Sequence, residues 1–235
     1  MTEITVNDLA TRYWQERQDA LYYQAVRVLA AQLGKHANSV IDVGSCGCPY
    51  LDWFPAIEKK TSVDLSKPYE APGVSSVTSD FLAWQPDGHY DLVLCLQVLE
   101  HVPDAQAFAQ KLLSTGKTVI ASVPYKWEKD RTPSHVHDPV DEIKMLKWFG
   151  REPNYSYNCR EITSGVRRLI HVYDHSGFVW KSLKQRDQVI DGSSTTRAPE
   201  TSAAKLAARK SKKPRKASLR DKLRRLASSA IAGRD

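Results

Sequence analysis

The strongest strand signal in the sequence is YDLVLCL at residues 90–96. Its last five residues are all apolar, which is typical of a strand in the middle of a parallel sheet whose two faces are both covered. A helix is predicted after it at 105–113, and a second buried strand, TVIASV, at 118–123. Strands that alternate with helices in this way indicate a parallel sheet with helices on both faces.

More helices and strands extend this pattern towards both ends of the chain. Apolar spacing predicts an amphipathic helix at 13–33. A further helix is predicted at 138–149, with Asp138 as its N-cap and Pro139 in its first turn. Further strands are predicted at 39–43, 61–64 and 74–77, and a closing hairpin at 156–162 and 167–174.

Together these elements predict the fold class. We expect an α/β fold in residues 1–190, with a Rossmann-like, mainly parallel seven-stranded sheet and a C-terminal antiparallel hairpin. Residues 191–235 differ in composition, being rich in Gly, Ser, Thr, Ala, Pro and Lys, and we expect them to form a linker and a basic tail.

Charge separates the predicted domain from this tail. The 235 residues carry 34 Lys and Arg against 27 Asp and Glu, a net charge of +7. Residues 197–235 hold 13 of the basic and three of the acidic residues, so this segment has a charge of +10 and the rest of the chain −3. An excess of basic over acidic residues indicates an anionic partner, and only the tail has such an excess.

Composition also bears on the compartment. No stretch approaches the roughly 20 apolar residues of a membrane-spanning helix, which excludes an integral membrane protein, and MTEITVNDLATRYW lacks the apolar segment of a signal peptide. The four cysteines fit a reducing cytoplasm, because a domain of this size does not depend on disulfides. Cys46 and Cys48 form C-x-C rather than C-x-x-C, so we expect no metal site.

Chemistry is expected at the carboxyl ends of the parallel strands, where ligands bind in open α/β sheets. The strand at 39–43 runs into a turn in which Gly44 and Gly47 allow a ligand to approach the backbone closely. Asp64 follows Asp42 by 22 residues, the position at which an acid typically binds ribose hydroxyls. Two further strand ends carry polar residues, in SDF at 79–81 and LQVLEHVPD at 96–104.

These pieces, in this order, resemble the core of class I S-adenosylmethionine-dependent methyltransferases, most closely the small type 11 group that acts on small molecules, sugars and lipids. The resemblance covers about residues 15–175, and LEHVPD is its most specific piece. The glycine turn departs from the family pattern D-x-G-x-G-x-G, because Cys46 and Cys48 occupy the second and third glycine positions. The matching pieces are VIDVGSCG at 40–47, SVDLS at 62–66, SDF at 79–81, YDLVLCLQVLEHVPD at 90–104 and KTVIASVP at 117–124.

The resemblance implies that S-adenosylmethionine is the cofactor and that the reaction is methyl transfer, to a hydroxyl of a small molecule, a sugar or a lipid-linked glycan. It also assigns residues to the parts of the cofactor. The implied contacts are the aminoacyl end with Asp42, Gly44 and Gly47, the ribose with Asp64, adenine with Asp80 and Phe81, and the sulfonium with Gln97.

A hydroxyl acceptor calls for a general base, and histidine suits that role near neutral pH. His135 and His137 are the candidate catalytic residues, because in this family the segment after the fifth strand overlies the acceptor. The alternative for both is a polar loop that hydrogen-bonds to the next helix. His101, in LEHVPD, is expected to cap the helix that follows it.

The tail has a pattern of its own. A basic run at 205–216 precedes an amphipathic helical pattern at 218–231, which is typical of a segment lying on an anionic membrane surface. A solvated charged tail, and contact with nucleic acid or an acidic protein, are the alternatives. Specific nucleic-acid recognition is disfavoured, because no aromatic residues interleave the charges.

Two other functions remain open for the domain. One is a decayed methyltransferase-like binding module that carries a basic targeting tail. The other is a nicotinamide-dependent oxidoreductase, which the glycine turn disfavours because it is not G-x-G-x-x-G.

Overall fold

A single mixed sheet organises the chain, as predicted. The computed structural model describes residues 12–176 and 178–190. The strands of these residues are β1 (Ser39–Val43), β2 (Lys59–Asp64), β3 (Val74–Thr78), β4 (Tyr90–Leu96), β5 (Gly116–Pro124), β6 (Tyr155–Arg160) and β7 (Arg167–Asp174). Their order across the sheet is β3-β2-β1-β4-β5-β7-β6. Strands β1 to β5 are parallel, and β7 is antiparallel to both β5 and β6, so the predicted Rossmann-like sheet with an antiparallel hairpin is confirmed.

Helices cover both faces of this sheet. Alternate residues of β4 point to opposite faces. Leu92 and Leu94 pack with helix α1 (Leu21–Leu33), whereas Val93 and Cys95 pack with helices α2 (Ala105–Thr115) and α3 (Glu142–Phe149). Each of these four side chains is fully buried, which contributes about 1.5–3 kcal/mol for a leucine or valine. The helices are α1 (Leu21–Leu33), α2 (Ala105–Thr115), α3 (Glu142–Phe149), α4 (Leu183–Ile190) and a short 3₁₀ helix (Tyr50–Trp53).

The predicted helix at 13–33 is divided. Residues 12–15 are helical, residues 16–20 form turns, and α1 begins only at Leu21. The carboxylate of Glu161 accepts the N–H groups of Leu21 and Tyr22, each at 3.0 Å, and so satisfies two of the unpaired donors at this helix start. A contact from the β6–β7 hairpin therefore sets the beginning of α1.

The predicted start of the helix at 138–149 is wrong. Helix α3 begins at Glu142, and its N-cap is Asp141, whose carboxylate accepts the N–H groups of Ile143 and Lys144 at 3.1 and 3.0 Å. Asp138 instead bonds to a histidine ring, as described below. The predicted end of the helix is confirmed, because Gly150 adopts a left-handed conformation with φ of 67°.

Three further predictions concern the tail, membrane-spanning helices and the cysteines. The linker and basic tail at 191–235 lie outside the described residues. Among the described residues, no helix has both the length and the apolar composition needed to cross a membrane. All four cysteines are free thiols, and Cys95 is buried in β4.

Candidate active site

The sheet order creates a switch point between β1 and β4. From β1 the chain continues to β2 on one side, and from β4 it continues to β5 on the other. Ligands of open α/β sheets bind outside the carboxyl ends of the strands at such a point. The turn after β1 and the segment after β4 both carry predicted site residues, so the fold brings these two segments to the same edge.

Asp42 lies near the end of β1, and Gly44 begins the turn after it. The Asp42 side chain is fully buried, and among the described residues neither carboxylate oxygen has a partner at good hydrogen-bond geometry, although the nearby Ser45 favours its charged form and offsets a part of the burial. Burial raises the pKa of Asp42 to about 8. Gly44 has φ of 82°, and its N–H donates to the Val63 carbonyl at 2.8 Å, so the chain turns over the end of β2. Gly47 also has a positive φ, of 78°.

Asp64 lies at the end of β2 beside this turn. Its Oδ2 atom accepts the Cys46 N–H at 2.9 Å, and its Oδ1 atom accepts the N–H groups of Ser66 and Lys67 at 2.9 and 2.8 Å. Three of the roughly four acceptor positions of a carboxylate are therefore filled by backbone donors. A ribose hydroxyl that bonds to Asp64 has to use the remaining position or displace one of these donors.

Asp80 and Phe81 separate in the structure. Asp80 is exposed, and its Oδ1 atom accepts the Leu82 N–H at 2.8 Å. Phe81 is 4% exposed and packs in the core, with its ring centroid 4.8 Å from that of Phe108. Of the two residues predicted to hold adenine, Asp80 alone presents its side chain to solvent.

Gln97, the residue after β4, belongs to a polar network. It has φ of 60°, and its N–H donates to the Ser122 carbonyl at 2.9 Å, which joins it to β5. Its Nε2 atom donates to Ser122 Oγ at 3.2 Å, and its Oε1 atom accepts from Arg168 Nε at 3.3 Å. Ser122 Oγ in turn bonds to the hydroxyl of Tyr22 at 2.5 Å. The side chain of Gln97 is thus held from β5 and β7.

Sequence reasoning missed Tyr22, Ser122 and Arg168. Arg168 contacts the rings of Tyr22 and Trp127, with its guanidinium carbon 4.9 and 5.9 Å from their centroids, and bonds to Glu161. The available signal was Arg168 itself, a cation on a strand whose later residues are buried. Such a cation is rarely buried without partners.

The structure separates the two predicted catalytic histidines. His135 Nδ1 bonds to Asp138 Oδ2 at 2.7 Å, and both side chains are almost fully buried, at 5% and 1% exposure. His137 Nε2 bonds instead to the Val102 carbonyl at 2.8 Å, and its ring packs against Trp148. Each ring thus has one nitrogen in a hydrogen bond, to a buried carboxylate for His135 and to a backbone carbonyl for His137.

His101 and Glu100 lie beside His135. The His101 and His135 rings meet edge to face with centroids 4.7 Å apart, and His101 Nδ1 bonds to the Ser134 carbonyl at 3.0 Å. The prediction that His101 caps the next helix is wrong, because Asp104 is the N-cap of α2. Glu100 is 1% exposed, and burial raises its pKa to about 8, with Asp138 adding to the rise.

A cavity of about 840 Å³ lies at the opposite edge of the sheet. It is open between the first residues of β4 and β5 and the end of β7, and it contains none of the predicted site residues. Its charged lining residues among those described include Lys35, Asp91, Lys117, Asp174 and Arg186.

Solved structures with the same architecture identify the fold. The N-methyltransferase NodS from Bradyrhizobium japonicum WM9, in complex with S-adenosylhomocysteine, aligns with a TM-score of 0.53 and 11% identity over 68% of this chain and 90% of NodS. The 1,6-didemethyltoxoflavin-N1-methyltransferase of Burkholderia thailandensis, with bound 1,6-didemethyltoxoflavin and S-adenosylhomocysteine, aligns with a TM-score of 0.55 and 19% identity over 72% of this chain and 86% of that enzyme. No family model and no curated protein matches the chain. The fold is that of class I S-adenosylmethionine-dependent methyltransferases.

Proposed function

We propose that this chain, which has the class I methyltransferase fold, transfers a methyl group from S-adenosylmethionine to a hydroxyl of a small molecule, a sugar or a lipid-linked glycan. The observation that supports this most is the arrangement at the switch point. The buried Asp42 carboxylate and the glycine turn lie at the end of β1. Gln97 follows β4, and His135 with its partner Asp138 follows β5.

The residues present fit the cofactor. A fully buried carboxylate without a well-placed partner, as at Asp42, is unfavourable alone and gains from a cationic group such as the ammonium of S-adenosylmethionine. Gly44 and Gly47 have φ values of 82° and 78°, so the turn holds a backbone conformation that favours glycine at both positions. Asp64 would bind the ribose, Asp80 the adenine amino group, with Phe81 behind it in the core, and Gln97 would lie beside the sulfonium.

Bound S-adenosylmethionine supplies a methyl group that is already activated, so the chain's own residues have to position an acceptor and exclude water. We assign His135 to the acceptor. Asp138 fixes its Nδ1 atom, which leaves Nε2 to contact the acceptor hydroxyl. His137 is a positioning residue, because its bond to the Val102 carbonyl ties the loop after β5 to the segment after β4.

Calorimetry on the full chain tests the cofactor. Binding of S-adenosylmethionine and S-adenosylhomocysteine, without binding of NAD⁺, is the expected result. Binding of NAD⁺ alone would indicate the oxidoreductase, and binding of none of the three would indicate the decayed binding module.

Transfer of labelled methyl groups to a panel of hydroxyl compounds tests the histidines. We expect His135→Ala to lower turnover by about 10²- to 10⁴-fold while the affinity for the cofactor stays constant. His137→Ala is measured beside it, and wild-type turnover in both variants would remove histidine from the acceptor site.

For the tail, we propose that residues 205–231 hold this cytoplasmic enzyme at an anionic membrane surface. The support is the sequence alone: apolar residues recur at helical spacing between basic ones. Sedimentation with anionic liposomes should recover the full chain in the pellet, and a full-length variant with Arg220, Lys222, Arg224 and Arg225 replaced by Gln in the supernatant. Equal recovery of both chains in the supernatant would contradict the proposal.

A further inference from the structure

Three side chains of metal-ligand type meet beyond the carboxyl end of β4. Glu100, His101 and His135 each offer a donor atom that lies within 4.8 Å of the other two. His101 Nε2 lies 4.0 Å from Glu100 Oε1. Two of the residues follow β4 and the third follows β5, so the parallel pairing of these strands assembles the cluster.

Within the described part of the chain, Glu100 makes no close ion pair, because His101 Nε2 lies 4.0 Å from its carboxylate and Arg168 acts on its charge from farther away. Its side chain is 1% exposed, and neither carboxylate oxygen has a hydrogen-bond partner among the described residues. The nearby guanidinium of Arg168 bonds to Gln97 and Glu161 instead. A buried carboxylate without a partner is strongly unfavourable, so a cation at this place would supply what the described side chains do not.

Both histidine rings are oriented in the manner of metal ligands. His101 Nδ1 bonds to the Ser134 carbonyl at 3.0 Å, and because a carbonyl only accepts, this nitrogen carries the proton. His135 Nδ1 bonds to Asp138 Oδ2 at 2.7 Å. Metal-binding histidines usually donate their second ring N–H to a carbonyl or a carboxylate in this way. In the neutral imidazole, the Nε2 atom of each ring then has a free electron pair with which it can bind a metal ion.

We propose that Glu100, His101 and His135 bind a divalent transition cation of the Mn²⁺, Fe²⁺, Co²⁺ and Zn²⁺ group, which holds the oxygen of the methyl acceptor. Two imidazoles and one carboxylate favour these ions over Mg²⁺ and Ca²⁺, which prefer oxygen ligands throughout. Three donor atoms at about 2.0–2.2 Å from one ion lie about 3.0–3.6 Å from one another, so donor atoms up to 4.8 Å apart have to close in by an ångström or more on binding. The expectation of no metal site rested on the cysteines, which take no part in this cluster.

The catalytic role of the cation rests on the proposed methyltransferase function and gives the acceptor hydroxyl a place to bind. Three protein ligands leave coordination positions open, and an acceptor hydroxyl can occupy one of them. There its O–H bond breaks more readily, with the electron pair kept on oxygen and the proton released to solvent. His135 then contacts the acceptor through the cation.

Titration of the metal-free full chain with Co²⁺, without S-adenosylmethionine, tests the site. We expect visible absorption bands that saturate at one equivalent and a rise in Tm, because a cation that binds only the folded chain stabilises it. Equilibrium dialysis should retain Zn²⁺ and release Mg²⁺. Glu100→Gln, His101→Ala and His135→Ala should each weaken Co²⁺ binding by more than about tenfold, and His36→Ala, an exposed histidine at the opposite edge, should bind as the wild type.

Asp138→Asn is a second variant that keeps the size of the side chain and all three ligands. The weaker hold on His135 should lower Co²⁺ affinity by about 10- to 100-fold. Absence of saturable binding in the wild-type chain, or equal affinity in the wild type, Glu100→Gln and Asp138→Asn, would overturn the proposal. Since no cofactor is present in this titration, its failure is separate from a failure of the calorimetry with S-adenosylmethionine.

Discussion

Asp64 and Cys46 are joined across the candidate site, because Asp64 Oδ2 accepts the Cys46 N–H at 2.9 Å. Cys46 has φ of 50°, a conformation that costs about 1–3 kcal/mol for a residue other than glycine. A hydrogen bond to a charged group contributes about 1.5–3 kcal/mol, which is enough to offset this strain. The carboxylate thereby accommodates a cysteine at a position where the resembling family has glycine.

Replacement of Asp64 by Asn should loosen this turn and weaken cofactor binding. Asn has the same size but one acceptor oxygen, so a backbone N–H that the carboxylate now accepts loses its partner. We expect the free energy of unfolding to fall by about 1–3 kcal/mol and the affinity for S-adenosylmethionine to fall by about tenfold or more. Denaturant unfolding and calorimetry measure the two effects.

The matched control is Asp87→Asn. Asp87 is an exposed acid that pairs with Lys59 at the start of β2, at the opposite edge of the sheet. The Asp87→Asn variant should bind the cofactor with the affinity of the wild type. If Asp64→Asn also binds at wild-type affinity, Asp64 does not hold the ribose.

Gly44 should tolerate alanine less well than Gly73 and Gly88 do. A Cβ atom there would lie 2.7 Å from Val98 Cγ2, and φ is 82°. Gly73 has a similar φ, of 77°, with open space around it, and Gly88 has open space without a positive φ. We expect almost no loss of stability for Gly88→Ala, about 1–2 kcal/mol for Gly73→Ala and a larger loss for Gly44→Ala, measured by denaturant unfolding.

The double variant Gly44→Ala with Val98→Ala isolates the contact. It should lose less stability than the sum of the two single variants, because the second change removes the atoms that the new Cβ meets. Additive losses would show that Val98 does not restrict this turn.

Glu161→Ala should destabilise the packing of α1 on the hairpin. The Glu161 carboxylate accepts the N–H groups of Leu21 and Tyr22 and pairs with Arg168 at 3.3 Å. Loss of such a cap typically costs about 0.5–2 kcal/mol, and the buried arginine loses one partner as well. Thermal and denaturant unfolding should show a clear decrease relative to Glu58→Ala, an exposed acid. Equal stability of the two variants would contradict the capping role.

The same residue shows why part of the fold was not predictable. The strands β1 and β4 were predicted with their observed bounds, because apolar runs of this kind are a local signal. The start of α1 depends on Glu161, which lies 140 residues away from Leu21. Asp138 was predicted as a helix cap on local grounds, but tertiary structure places it against His135.

The candidate site divides in the same manner. Asp42, Gly44 and Asp64 lie at or next to the ends of β1 and β2, so the sequence alone could predict that they share an edge. The unpartnered Glu100 and its two histidine neighbours emerge only when β4 and β5 are paired and the loop after β5 folds back. No spacing in the sequence records that contact, because His135 follows His101 by 34 residues.

His171 should make stability depend on pH on the acid side. It is 1% exposed in β7, with Nδ1 bonded to the Tyr173 hydroxyl at 3.0 Å, and burial lowers its pKa to about 4. The unfolded chain takes up this proton near pH 6.5, whereas the folded chain does so only near pH 4. The contribution to stability is therefore complete above pH 6.5 and is lost as pH falls towards 4, by on the order of 3 kcal/mol.

The replacement His171→Gln should flatten this part of the curve. Urea unfolding of the wild type and the variant between pH 4.5 and 7 measures the two slopes, and the difference in slope, rather than stability at pH 7, reports the titration. His36→Gln removes an exposed histidine and should leave the slope of the wild type unchanged. Parallel curves for the wild type and His171→Gln would mean that His171 titrates alike in the folded and the unfolded chain, against the burial that the structure gives it.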